Sequence, residues 1–472
     1  MGTAPRTARI RAMWKYIIGF VVFGGAIGAA AAWVLAGNAP GPALEFTAPA
    51  AVGQLGEMEL EIETPGGRLT SLEVTLEQGD DSIEVFRMGG AAGAADAPAS
   101  ALVGEGDSLV LRQPLGREQH ESLREGEATL TARAVRPVLF GYREAETTAT
   151  HTFDVRLRPP IVSPQSQFHY INHGGTELVV YRVSPAAART GIRVGEDEYP
   201  GFPAAGAGIE GADDSLYVAF FALTWDQDRS VPITIFAVDE LGNESTQNFE
   251  KRIFAKEFRD STITISDGFL SNVVPSILQN TPEFEVDDPT DLLASYLAIN
   301  GEMRRENDAY IASLAERSAP EILWEGPFEQ LINTAVESGF ADRREYVYNG
   351  EVVDHQTHLG FDLASTAAAP VTAANSGVIV HSGWLGIYGN CVIVDHGMGL
   401  QSLYAHLSSM DVSAGNSVAK GQQIGRSGAT GLAGGDHLHF TMLLNGNAIT
   451  PIDWWSEQWV EDRILRKLRE AE

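Results

Sequence analysis

Between Tyr16 and Gly37 the chain runs without a single charged residue. About 20 such residues span the hydrocarbon of a bilayer as one helix. Arg6, Arg9, Arg11 and Lys15 precede the run, and no Lys or Arg follows until Arg68. Positive charge on one side only places residues 1–15 in the cytoplasm and everything after Asn38 outside. Val34-Leu-Ala36 offers the small residues of a signal-peptide cleavage site. A signal peptide's apolar region runs only about 7–15 residues, however, so residues 16–37 read as an uncleaved transmembrane helix.

The remaining chain is too long for one core. A length of 472 residues suggests roughly three or four domains. With 33 Lys and Arg against 63 Asp and Glu, the formal charge is −30. That balance repels phosphate backbones, and the body of the chain has no basic cluster, so nucleic acid is excluded as a partner. Acidic stretches such as 57–81 and 283–291 read as solvated faces. The single cysteine, Cys391, forbids an internal disulfide and sits in an apolar strand-like run, as a small buried hydrophobe does.

Residues 44–158 show short alternating segments. Met58, Leu60 and Ile62 interleave with Glu59, Glu61 and Glu63, a turn is expected at Pro65-Gly-Gly67, and Leu72, Val74 and Leu76 alternate again. This is the period of half-buried strands, and it predicts a β-sandwich module with a Gly/Ala loop over 89–100. Pro159-Pro160 marks its end, since neither residue donates to a ladder. A second β-sandwich module is expected over 159–255, with strands at 178–183, 217–223 and 232–238. Its Ala237-Val-Asp-Glu-Leu-Gly-Asn243 turn resembles the strand-end turn of bacterial immunoglobulin-like domains.

Over 256–340 the periodicity predicts a helical connector. Asp288 is the expected N-cap, with Pro289 at the first helical position. Leu292, Leu293, Tyr296 and Leu297 form an apolar face that resumes at Tyr310, Ile311 and Leu314 beyond Asn300-Gly301. A second helix is expected near 329–337. The stripe is expected to pack on the following domain and to limit access to it. Residues 341–455 read as β-rich, opening on a hairpin at Asn349-Gly350, and 456–472 as a C-terminal helix.

The chemistry concentrates in the β-rich segment. In Gly434-Gly-Asp-His-Leu-His-Phe-Thr441, His437 and His439 stand two apart. On a strand both imidazoles therefore face one way, while Leu438 and Phe440 face a core. His358 and Asp362 flank Gly360, which favours a loop running into a strand, and His406 lies in a third segment. A catalytic zinc site takes three protein ligands, commonly His and Asp or Glu, and leaves a position to water. Three segments bearing such residues point to a zinc hydrolase. His355, His381 and His396 read as structural or exposed. Asp354 and His355 are candidates for groups that orient ligands, and Arg343 and Arg344 for holding a substrate carboxylate.

The stretch from Thr357 to Trp455 resembles the lysostaphin-type (LytM-like) zinc metallopeptidases, which cut peptide cross-links of bacterial cell walls. The matching motifs are His358-Leu-Gly-Phe-Asp-Leu-Ala364, Pro370 to Gly377, Tyr388 to Gly397, Tyr404-Ala-His-Leu-Ser408, Val418 to Gly428 and His437-Leu-His-Phe440. The resemblance implies a small β-rich fold with a groove floored by Zn2+, ligated by His358, Asp362 and His439. It also implies that His406 and His437 are catalytic without being ligands; which of them takes the proton of the metal-activated water stays open. One departure is Thr441, where the family usually has Glu.

The implied activity is hydrolysis of peptidoglycan stem-peptide cross-links. A D-alanyl bond is the target if the envelope is Gram-negative, and the domain is held on the periplasmic side of the inner membrane by residues 16–37. The alternative is a catalytically silent relative that regulates another wall hydrolase. Against it, all five His and Asp positions are present.

Overall fold

The computed structural model describes residues 6–47, 49–64, 69–89, 102–105 and 107–471. The turn expected at Pro65-Gly-Gly67 and the 90–100 part of the Gly/Ala loop lie outside them. The protein is mainly β, with an N-terminal apolar helix, Arg6–Gly37. Within that helix Met13–Gly37 is long and apolar enough to cross a membrane. The chain divides into two compact units, residues 1–159 with 240–243, and residues 160–239 with 244–472.

In the first unit a four-stranded sheet, ordered Ala43–Phe46, Glu57–Glu63, Ser108–Pro114, Leu102–Glu105, faces a five-stranded one. The latter is ordered Ala51–Val52, Arg143–Val155, Gly126–Val138, Ser71–Gln78, Asp81–Met88. The alternation read from the sequence sets their inner faces. Met58, Leu60 and Ile62 from one sheet share a buried core with Leu72, Val74 and Leu76 from the other, while the interleaved glutamates of Glu57–Glu63 stay at the surface.

The second unit opens with another pair of four-stranded sheets, centred on Thr176–Ser184 with Leu216–Ala222 and on Arg189–Val194 with Ile233–Val238. Its core is continuous with that of the C-terminal β-rich region. Val180, Phe220 and Ile235 belong to one buried cluster with Phe361, Tyr404 and Trp454. Trp454 is fully buried, its ring centroid 5.9 Å from Phe220 and 5.5 Å from both Trp324 and Phe328. Lys467, near the C-terminus, reaches Glu177 at 2.7 Å with both side chains buried.

Between these regions the helices begin differently from the sequence expectation. A helix not foreseen, Asp267–Asn280, is capped by Ser266 and buries Leu270, Val273, Val274 and Ile277 despite an internal Pro275. The next helix starts at Leu292 rather than after Asp288. Asp291 accepts the capping bond from the Ala294 N–H at 3.0 Å, whereas Asp288 closes a turn onto Thr290. The cap thus sits directly before the apolar face, where the first unpaired N–H groups are. The helix expected near 329–337 is absent. Ala335–Ser338 is instead a strand paired with Phe361–Ala364, because an open sheet edge there offers backbone partners that a short polar segment cannot supply to itself.

The apolar stripe does pack on the β-rich region. Tyr296, Ile299 and Met303 cluster with Tyr346 and Ile387, and Ile311 and Leu314 with Leu385, Ile393 and Leu403. That region is built on an eight-stranded sheet. Its central strands run Phe361–Ala364, Leu438–Leu444, Leu400–Leu407, Asn390–Gly397 and Gly377–Trp384. The hairpin at Asn349-Gly350 joins Asp342–Tyr348 to Glu351–His358, and Asp342–Tyr348 also pairs in parallel with Asp260–Ile265.

Candidate metal centre

Strand register assembles the site. Asp362 pairs directly with His439 across Phe361–Ala364 and Leu438–Leu444, and Ala405 pairs with His439 on the other side, which brings His406 alongside. His358 ends the strand Glu351–His358. Gly360, between His358 and Asp362, is required by close approach. A Cβ there would lie 2.6 Å from the His439 ring and 2.5 Å from the Thr441 hydroxyl.

Three donor atoms converge. His358 Nε2 stands 2.9 Å from Asp362 Oδ1 and 2.9 Å from His439 Nδ1, and His439 Nδ1 stands 3.0 Å from Asp362 Oδ1. Ligands about 2.0–2.1 Å from one tetrahedral zinc stand roughly 3.3 Å apart, so a movement of a few tenths of an ångström fits this triangle to the ion. The remaining ring nitrogens are tied back as ligands require. His358 Nδ1–H donates to Gly339 O at 3.0 Å. His439 Nε2–H donates to Thr441 Oγ1 at 3.0 Å, and that hydroxyl donates to Leu359 O at 3.0 Å. The other carboxylate oxygen, Asp362 Oδ2, accepts from Arg344 Nη2 at 3.0 Å. These residues fit a divalent cation of the zinc type.

Electrostatics agree with that chemistry. Burial opposes charge on Asp362, but the neighbouring imidazoles, His358 foremost, hold its carboxyl well below the usual carboxylate range. Burial drives His439 down to about 4, which keeps its ring a neutral donor. His406 is likewise pushed well below its ordinary value, by burial and then by His437 and His439. At His437 burial also lowers the value, but the bond to Asp362 and its charge more than offset it and leave the ring raised.

His406 and His437 face each other beside the triangle, ring centroids 4.9 Å apart. His406 Nδ1–H donates to Thr430 O at 2.8 Å, and His437 Nδ1–H donates to Gly435 O at 2.9 Å while its Nε2 stands 3.4 Å from Asp362 Oδ1. All five residues line one cavity of about 590 Å³, walled also by Tyr296, Arg304, Tyr346 and Tyr388.

Other sequence candidates lie elsewhere. His396 belongs to a strand rather than a turn, and is fully buried between Ser376 O and Ser402 Oγ. His381 pairs with the Tyr310 hydroxyl, and His355 is exposed beside Glu345. Asp354 orients no ligand; it accepts from Asn300. Arg343 is exposed and paired with Asp260, and Arg344 is largely buried and paired with Asp362, so neither is a free cation for a substrate carboxylate. The outer contact made by Thr441 was available from the sequence, because residues 439 and 441 share a strand face. The role of Arg344 was not, because the sequence does not show that the segment from His358 to Asp362 folds back onto the hairpin strand Asp342–Tyr348.

Residues 356–451 match the model of peptidase family M23. The C-terminal domain is an M23 peptidase domain. Over 124 residues it is 37% identical to DD-carboxypeptidase/endopeptidase Mpg of Neisseria meningitidis, covering 26% of this chain and 28% of that protein. Peptidoglycan DD-endopeptidase ShyA of Vibrio cholerae is 34% identical over 114 residues, 24% of this chain and 26% of its own. Murein hydrolase activator EnvC of Escherichia coli is 35% identical over 95 residues, 20% of this chain and 23% of its own. The match thus spans about a quarter of these relatives' length and falls on the M23 domain.

Proposed function

We propose that this M23 domain is a zinc endopeptidase that hydrolyses the peptide cross-links of bacterial peptidoglycan. The observation that carries the reading is the convergence of His358, Asp362 and His439 beside the facing pair His406 and His437. Zinc held by the three donors would polarise the scissile carbonyl and lower the pKa of water. One imidazole of the facing pair takes a proton at Nε2 and returns it to the leaving amine. The other, protonated, donates its Nε2–H to the developing oxyanion. Thr441 and Gly339 keep the ligand rings in the donor tautomer, and Arg344 holds Asp362 to one oxygen. The cavity walls Tyr296 and Tyr346 restrict water around the reacting bond.

The N-terminal helix anchors the chain in the cytoplasmic membrane with the domain on the periplasmic side. The two β modules carry it toward the wall. A silent regulator of another wall hydrolase is the second reading, supported by the similarity to EnvC. The complete donor set weighs against it. The test is mass spectrometry of purified peptidoglycan after incubation with the protein. Release of muropeptide monomers from cross-linked dimers, abolished by a chelator and restored by zinc, is expected; an unchanged fragment pattern at every zinc concentration refutes the reading.

A further inference from the structure

The helix Leu292–Ala298 continues into Arg304–Ala315 through one π-helical turn, Ile299–Met303. Such a turn costs regular hydrogen bonding and re-aims the side chains around it, and it recurs at functional sites. Here it places a polar residue, Asn300, where it is fully buried. Asn300 Nδ2 donates to Asp354 Oδ2 at 2.7 Å, on the strand that ends in His358. In return Asn300 O accepts from Arg304 Nε at 3.1 Å, and Asn300 Oδ1 accepts from Arg304 Nη2. One edge of the Arg304 guanidinium is therefore clamped by neutral atoms of a residue that cannot move.

The rest of that guanidinium is positive charge in the cavity that no ion pair among the described residues takes up. Arg304 lines the same space as His358, Asp362 and His439. Arg344 beside it is already paired with Asp362, and Arg343 with Asp260. Among the described residues Arg304 forms no ion pair, and its interaction with Asp308 is coulombic only. A guanidinium has five N–H donors in a rigid fork suited to carboxylates, and only two are spent on Asn300. The remaining donors are available to an anion that enters the cavity.

We propose that Arg304 is the receptor for the free carboxylate on the amine side of the scissile bond. This rests on the proposed hydrolysis, and it names the substrate feature read by that site. The carbon bearing the leaving amine also bears this carboxylate, whose carbon is two bonds from the reacting nitrogen. It is thus the substrate anion that must share the cavity with the donor triangle. A bond cut by a carboxypeptidase has the same arrangement, and the Neisseria relative carries both activities in its name.

The test compares a D-alanyl cross-linked muropeptide dimer with the same dimer whose amine-side carboxylate is converted to the primary amide. Binding of the corresponding monomer acid and amide is measured by calorimetry alongside. A hydrogen-bonded charge pair of this kind is worth about 10–100-fold, so wild type should favour the acid by that factor in kcat/KM and in Kd. Arg304→Gln should bring both ratios close to one, and Arg304→Lys, which keeps charge without the fork, should fall between. Equal handling of acid and amide by wild type overturns the assignment. So does retained discrimination in folded Arg304→Gln. Selective binding of the acid without cleavage of either dimer overturns the proposed hydrolysis and leaves Arg304 as the receptor.

Discussion

Thr441→Val removes one hydroxyl and almost no volume, and it bears directly on the metal site. Thr441 is 4% exposed. Its oxygen accepts from His439 Nε2–H and donates to Leu359 O, each at 3.0 Å. Valine leaves the His439 N–H buried with no acceptor, at a cost of about 1–3 kcal/mol. It also frees the ring to turn its Nδ1 away from Asp362 and His358. Loss of a group that orients a ligand costs typically about 10–100-fold in metal affinity. That factor corresponds to roughly 1.4–2.7 kcal/mol, so the two routes to the magnitude agree. The assay is competition for zinc against a chromogenic chelator, with near-ultraviolet circular dichroism to establish that the variant is folded. Thr441→Ser, which keeps the acceptor, should hold zinc nearly as wild type. A zinc Kd for Thr441→Val within twofold of wild type refutes the relay.

Asp453 is buried and accepts from Asn172 Nδ2 at 2.8 Å, while its second oxygen has no partner among the described residues. Burial raises its carboxyl to about 6, against Asn172, Lys256 and Arg463, which lower it, and Glu177, which raises it. The folded state therefore holds this proton more tightly than the unfolded chain. Its contribution is present below the ordinary value of 3.8 and is lost as pH rises to about 6. Asp453→Asn should accordingly gain about 3 kcal/mol at pH 7.5 relative to wild type and flatten the pH dependence between those values, read by urea denaturation; no gain would contradict it. Lys467→Met should cost about 3–5 kcal/mol, because Glu177 is left fully buried without its counter-cation, held only by the Tyr170 and Leu178 N–H groups. A loss under about 1 kcal/mol in the same assay would show that the second β module and the C-terminal helix do not share a core.

Much of the site was legible because its logic is local. The period of two in His437-Leu-His-Phe440 fixes which side chains face the cavity and which face the core. Gly360 signalled a loop between His358 and Asp362 rather than a helix. The first module's alternation likewise assigns Met58, Leu60 and Ile62 to the inside. Where the sequence misled, the deciding partner was distant. Asp288 and Asp291 have the same capping chemistry, and only the packing of Tyr296 and Leu292 selects the second. Ala335–Ser338 has no strong strand pattern and is extended because Phe361–Ala364 offers it an edge. The helix 267–280 forms with Pro275 inside it because four buried side chains outweigh the cost of the proline. Arg304 was invisible as a candidate, since its importance depends on which neighbouring arginines are already neutralised.

The most direct measurement of the central claim is zinc stoichiometry by elemental analysis, taken beside muropeptide cleavage rate, for wild type, His439→Ala and His437→Ala. The two histidines are two residues apart on one strand face, but only His439 belongs to the donor triangle. Wild type and His437→Ala should each carry about one zinc per chain, and His439→Ala little. Turnover should vanish with the metal in His439→Ala and fall about 10²–10⁴-fold in zinc-loaded His437→Ala. Full zinc with normal turnover in His439→Ala, or full activity in His437→Ala, would contradict the account.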